Sequence, residues 1–256
     1  MIIRSEQMSV FEEAARRGFE RDLARRCAES APTLCERAGG DNVLRFVKLG
    51  IDRAGSHGFS LRGPVRLYVD LMLWFGCDFD SDPQLDWARQ ALALGTEEDE
   101  LERAKALYQA AQPYTERVAG SQGEHALAAT ERLSRMTESG CPKLSGAFED
   151  ELMRLLRTLY PEKFEYARAA AVRPLIQRAA QTAAGFGVRL GMAVTLLTTL
   201  MFLFGHGVAE DPMYPWIAAA LGDPDTPNPH DRAAHLCNNV VKLAGRPQPD
   251  LELQPA

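Results

Sequence analysis

Three sets of residues carry groups that could do chemistry. Asp78-Phe79-Asp80-Ser81-Asp82 alternates carboxylates as the start of a calcium loop does. Such a loop needs glycine at its sixth position and a bidentate glutamate at its twelfth, where this chain has Pro83 and Arg89. Helix capping by Asp82 before Pro83 accounts for the acids without an ion. His230 and His235 are five apart, about 140° around a helix, which is poor geometry for one metal ion. His57, His206 and His235 could serve an enzyme only if folding gathered them. Finally, Arg62, Arg66, Tyr68 and Asp70 put charge and a hydroxyl on one predicted helix. No nucleophile elbow, phosphate loop, dinucleotide fingerprint or HExxH is present. The motifs therefore assign no catalytic residue, metal ligand or cofactor.

An internal repeat organises the elements that would position these groups. Leu71-Met72-Leu73-Trp74-Phe75-Gly76 aligns with Leu200-Met201-Phe202-Leu203-Phe204-Gly205, 129 residues later (205 − 76). At the same offset Asp82-Pro83 meets Asp211-Pro212, Trp87 meets Trp216, and Phe19-Glu20 meets Phe148-Glu149. Roughly 22 of 75 positions are identical between 18–92 and 147–221 without a gap, which identifies a duplicated unit.

Apolar spacing in each copy is helical. Met8, Phe11, Ala15, Phe19, Leu23 and Cys27 form one stripe over 6–29. Asp41 is placed to cap a second helix, Ser60 a third that ends at Gly76, and Asp82-Pro83 a fourth, short one. Between the copies, Thr96 with its acidic first turn opens a helix that Pro113 interrupts, and a second run passes through Leu127, Leu133 and Met136. Gly140-Cys141-Pro142 marks the next boundary. After Leu221 one helix is expected near 230–243, then a frayed Pro-rich tail.

The expectation is an all-α protein of two tandem diverged repeats, about four helices each, joined by a helical linker. The segments are 1–95, 96–140, 141–225 and 226–256, within one compact domain overall. Gly191–Gly205 is uncharged and strongly apolar, but its 15 residues fall short of the roughly 20 a bilayer needs. Its counterpart carries Arg62, Arg66 and Asp70, so it reads as a buried core helix, and no membrane insertion is expected.

Composition sets further bounds. The 256 residues carry 46% apolar and 25% charged side chains, ordinary for a globular chain. The net charge of −6 and the absence of a dense Lys/Arg stripe argue against nucleic acid. Arg16, Arg17, Arg21, Arg25 and Arg26 share their helix with Glu12, Glu13, Glu20 and Asp22, and read as a solvated, ion-paired face. Five cysteines without short paired spacings, and no apolar leader, point to free thiols in a reducing cytoplasm.

Met1-Ile2-Ile3-Arg4-Ser5-Glu6-Gln7-Met8, then Tyr68-Val69-Asp70-Leu71-Met72, Phe75-Gly76-Cys77-Asp78-Phe79-Asp80, Pro83 and Trp87 together resemble a family of small bacterial proteins. Its members are encoded beside the spike (VgrG) and PAAR-tip genes of type VI secretion systems. The resemblance covers about the first 95 residues, and the second copy matches only through the repeat. It implies a protein-binding accessory that loads an effector toxin onto the VgrG–PAAR spike. An immunity protein that neutralises the toxin is the alternative, and an enzyme or effector with dispersed site residues a third. Partner contact would fall to the first copy, at Arg62, Arg66, Tyr68, Asp70, Asp78 and Asp80, because the second copy has lost the Tyr, the Asp and the acidic loop. Tyr68 and Asp70 face Leu197 and Thr199 in the repeat, so either the first copy faces water there or that face binds a partner. Apolar surface left uncovered in the first copy would favour a homodimer.

Overall fold

In the computed structural model, residues 5–93, 99–138 and 147–244 are described, with side chains over 10–93, 99–136 and 147–240. The described residues form α-helices and no strand, which makes the chain all-α. The helices are α1 (Ser5–Ser30), α2 (Pro32–Ala38), α3 (Gly40–Ser56), α4 (Arg62–Phe75), α5 (Asp86–Leu92), α6 (Glu100–Val118), α7 (Glu124–Glu138), α8 (Phe148–Leu159), α9 (Pro161–Gly185), α10 (Gly191–Phe204), α11 (Pro215–Leu221) and α12 (Pro229–Ala244).

Helix ends recur at the 129-residue offset. α4 and α10 stop at Phe75 and Phe204, α5 and α11 at Leu92 and Leu221, α1 and α8 at Ser30 and Leu159. α9 covers the span of α2 and α3 together, and it breaks at Arg168 (φ 62°, ψ 159°), the counterpart of Gly39 between α2 and α3 (φ 83°, ψ 148°). The chain leaves α3 and α9 by the same turn: Phe59 N donates to Ala54 O at 2.9 Å and Val188 N to Ala183 O at 2.8 Å.

α4 and α10 lie at the centre. Tyr68, Val69, Leu71 and Met72 are buried from one, Leu197, Leu200, Met201 and Phe202 from the other. The threonines of α10 are tolerated inside because each hydroxyl bonds a carbonyl one turn back: Thr195 to Gly191 at 2.9 Å, Thr198 to Val194 at 2.7 Å and Thr199 to Thr195 at 2.8 Å. Among the described residues no helix is long and apolar enough to cross a membrane. The two helices end tip to tip. A Cβ on Gly76 would lie 2.5 Å from Phe204 O, and one on Gly205 would lie 2.6 Å from Phe75 O. Both glycines also hold φ near +100°, so neither position accepts a side chain.

Several local expectations are corrected. The α1 stripe buries only from Phe19 onward, since Phe11 and Ala15 are exposed beyond the reach of the helices that cover the rest. Asp41 sits inside the first turn of α3 and Gly39 is its N-cap. Ser60 does not cap α4; its N–H and hydroxyl donate to Glu100 of α6, at 2.6 and 3.0 Å. Asp82 closes a tight turn onto Gln84 N rather than a helix, and α5 begins at Asp86. Pro113 does not end α6, which runs to Val118: the ring lies on the exposed face while Ala111, Tyr114 and Val118 pack inward. Thr96, the boundary at 140–142 and the C-terminal tail lie outside the described residues.

Cys27, Cys35 and Cys77 are free and buried, whereas Cys237 is disulfide-bonded, its partner lying outside the described residues. The free-thiol reading therefore fails at Cys237, because short spacings reveal nothing about a pairing between residues distant in sequence. A persistent disulfide belongs to oxidising compartments and pulls against a reducing one.

Candidate functional site

The loops that follow α4 and α10 meet where the two helix tips meet, and a cluster of hydrogen-bonded polar side chains gathers there. Asp80, at the crest of the first loop, is the hub. Tyr68 of α4 donates its hydroxyl to Asp80 Oδ2 at 2.7 Å, His57 Nε2 lies 2.9 Å from the same oxygen, and Arg53 Nη2 donates to Oδ1 at 2.8 Å. The Arg53 guanidinium also pairs with Asp78. Both Arg53 and His57 come from the last turn and exit of α3, one turn apart on one face. α6 reaches the same place: Arg103, over the Phe59 ring at 4.9 Å, donates to His57 O at 2.6 Å.

The second half closes the cluster. Arg178 of α9 donates to His206 O at 3.0 Å and lies 4.0 Å from Asp78. His206 Nε2 is 3.3 Å from Ser81 Oγ. The loop carrying Asp78, Asp80 and Ser81 is thus held between His57 and His206. Folding brings together two of the three histidines that an enzyme reading needs, while His235 stays on the exposed side of α12.

Electrostatics decide what these groups can do. Burial alone would push the Asp80 carboxyl up, but hydrogen bonds from His57 and Tyr68 and the charge of Arg53 outweigh it and hold the group at about 2. A general base works best when it titrates near the working pH, so Asp80 is a committed acceptor rather than a poised base. Tyr68 is pushed well above its ordinary value, first by burial and then by the adjacent Asp80 charge. Burial keeps His206 below its ordinary value against the pull of Asp82. Ser81 and His206 make a hydroxyl–imidazole pair, but the Ser81 hydroxyl is also 3.2 Å from Asp78 O, and no carboxylate side chain orients the ring among the described residues. The nucleophile–base–orienter arrangement of covalent catalysis is incomplete there.

The residues expected to meet a partner separate into two places. Tyr68, Asp78 and Asp80 belong to the buried cluster, and Tyr68 is 0% exposed. Arg66 and Asp70 line a groove of about 260 Å³ between α1, α4 and α6, with Pro64, Leu67 and Leu101. Asp70 is itself buried and takes a bidentate grip from Arg26, at 2.9–3.0 Å. Arg62 lies over the Phe19 ring at 5.2 Å. The first copy does not face water at Tyr68 or Asp70; both are covered, one by the loop and one by α1.

The sequence reading missed Arg53 and Arg178, and it missed that Asp82 accepts from His206 N at 2.7 Å and Asp211 from Cys77 N at 3.1 Å. The signal for the aspartates was present, since Asp82-Pro83 recurs as Asp211-Pro212 at the 129-residue offset. Nothing in the repeat marks the arginines, because Arg53 is matched by Thr182 and Arg178 by Leu49. Among the described residues no group of three or more His, Cys, Asp or Glu is placed to hold a metal ion. No family model, no curated protein and no solved structure matches this chain.

Proposed function

We propose that this chain arose by duplication of one helical unit and serves as a non-enzymatic accessory of a bacterial type VI secretion system. It acts as a chaperone or adaptor that carries an effector toxin to the VgrG–PAAR spike. The matched helix ends, the matched backbone torsions at Gly39 and Arg168, and the tip-to-tip glycines support the duplication, with one compact domain built around a pseudo-twofold axis.

The observation that carries the functional reading is the use made of the motif residues. Tyr68, Phe75, Gly76, Asp78, Phe79, Asp80 and Trp87, through which the chain resembles the secretion-associated family, all pack into the joint where the helix tips meet. Their charges neutralise one another, and Asp80 is fully engaged. The motif is therefore the scaffold, and recognition falls to the surface beside it. There Arg66 and Lys105 line an apolar groove in a chain of net charge −6, a local basic rim suited to an acidic, amphipathic segment of a partner.

Co-expression of the tagged chain with its neighbouring effector, spike and PAAR gene products tests this reading. A stable complex that the double variant Arg66→Glu, Lys105→Glu weakens at least tenfold is expected, with no turnover of any substrate. Absence of any complex sinks the proposal. Rescue of cells from the toxin by a complex that forms without spike or PAAR protein would replace the loading role by an immunity role.

A further inference from the structure

A second cavity borders the tip-to-tip joint, lined by Phe75, Gly76 and Phe204 and by none of the Asp80 cluster. It measures about 160 Å³ and its walls are mostly apolar, with Trp74, Phe204, Leu133 and Val118 among them. Lys163, on the first turn of α9, lines it and is 8% exposed. An ammonium carries three donors. One is used, on Leu203 O at 3.2 Å, and the Phe202 ring lies 5.7 Å away. Among the described residues no carboxylate comes within ion-pairing distance of it. Tyr114 and Tyr214 also line the cavity, and neither hydroxyl has a hydrogen-bond partner among the described residues. Asp211, on the same wall, has both oxygens occupied by the backbone N–H groups of Cys77 and Met213.

The packing itself does not demand a cation. The position matching Lys163 in the first half is Leu34, which lines the same cavity from the other side. A buried cation with spare donors in an apolar chamber is a costly arrangement unless an anion completes it. Size narrows the class: a cavity near 150 Å³ accepts a benzene-sized body. The Asp211 carboxylate and the half-buried Arg37 also line the cavity, so the net positive charge that its mostly apolar walls present is small and favours a single negative charge over a phosphate dianion, whose desolvation the site could not offset.

We propose that this cavity binds a small amphipathic monocarboxylate, its apolar body against Trp74 and Phe204 and its carboxylate on the Lys163 ammonium, with the Tyr114 and Tyr214 hydroxyls of the same lining as further donors. This is a ligand site separate from the proposed partner surface, and its occupancy does not depend on the secretion reading.

Benzoate and toluene serve as probes, titrated calorimetrically into the full chain. Benzoate is expected to bind, and Lys163→Leu, which restores the residue type of the other half, should weaken benzoate at least tenfold while leaving toluene unchanged. Ala126→Leu narrows the chamber from α7 without touching Lys163 and should weaken both probes, so the proposal stays testable if Lys163→Leu does not fold. Benzoate binding that survives Lys163→Leu, or that survives Ala126→Leu, overturns the proposal, as does the absence of binding by either probe to the unsubstituted chain.

Discussion

Asp82 and Asp211 exchange hydrogen bonds across the joint. Asp82 Oδ2 accepts from His206 N at 2.7 Å, and Asp211 Oδ2 accepts from Cys77 N at 3.1 Å; each donor is the residue after the glycine that ends the other half's central helix. The remaining oxygens repeat the pattern locally, Asp82 Oδ1 on Gln84 N and Asp211 Oδ1 on Met213 N, both at 2.8 Å. Both side chains are buried, so removing one orphans two backbone donors away from water. Asp82→Ala and Asp211→Ala should each cost about 3 kcal/mol, lowering Tm by on the order of 10 °C in a chain of this size. Asp86→Ala, which removes an exposed carboxylate paired with Arg89, should leave Tm nearly unchanged. Equal Tm values for all three variants in thermal unfolding would refute the clasp.

The glycines between these clasps are predicted to be intolerant for a different reason. At Gly76 and Gly205 the obstacle to a Cβ is the other half's backbone, not a flexible side chain. Gly76→Ala and Gly205→Ala should each destabilise by about 3 kcal/mol or more. Gly55→Ala, in the last turn of α3 where an added methyl would meet nothing within 4 Å, should instead be neutral or stabilise by up to about 1 kcal/mol. Denaturant midpoints of the three variants measure this directly.

Arg168 holds φ 62°, ψ 159°, a region that residues with a side chain rarely enter. Its counterpart is Gly39, at nearly the same torsions. Arg168→Gly should therefore raise stability by about 1 kcal/mol, the relief of backbone strain exceeding the extra freedom of the unfolded chain. The reverse change, Gly39→Arg, should cost a similar or larger amount. A less stable Arg168→Gly variant would show that the break in α9 is not strained.

The all-α class and the buried character of α10 were legible in the sequence because both depend on apolar periodicity, which one chain displays in full. The matching helix ends follow from the same offset that aligns Phe75-Gly76 with Phe204-Gly205. The candidate site was legible in part. Asp78 and Asp80 were visible as an acidic loop, but their partners Arg53, His57 and Arg178 come from α3 and α9, and which helix faces a loop depends on packing that spacing does not encode. Ser60 shows the limit at short range as well. Its sequence neighbourhood suits an N-cap, and a long-range bond to Glu100 takes precedence.

Asp80 gives the cluster an acid-sensitive stability. Its folded value, about 2, lies below the ordinary 3.8. The folded state thus favours the ionised form, and this contribution is complete above about pH 4 and lost as pH falls toward 2. Asp80→Asn should cost about 2 kcal/mol at pH 6 by weakening the grip of Arg53, His57 and Tyr68. The gap between Asp80→Asn and the unsubstituted chain should then close between pH 4 and pH 2. Urea midpoints measured for both across that range test the window, and a gap independent of pH would show that Asp80 does not carry it.

Lys163 gives a slope of the same sign at alkaline pH, but from a buried charge that costs stability rather than one that supplies it. Burial lowers its ammonium from 10.5 to about 8, against a smaller pull from Asp82. Between these values the unfolded chain still holds the proton that the folded chain has released, so stability should rise with pH across that window. Below pH 8 the full cost of the buried charge is present, about 3 kcal/mol for a drop of this size. Lys163→Leu removes the charge at a position where the first half already has leucine, so at pH 7 it should be the more stable protein by up to that amount. Its advantage should shrink steadily from pH 8 and vanish near pH 10.5. The raised tyrosines of the same region, Tyr114, Tyr160 and Tyr214, titrate alike in both proteins and cancel in the comparison. Saturating benzoate at pH 7 should close the gap from the other side, because a bound carboxylate compensates the ammonium only where lysine is present. An advantage that is constant from pH 7 to 10.5 would mean that Lys163 is solvated in the folded chain and that its cavity is open to water.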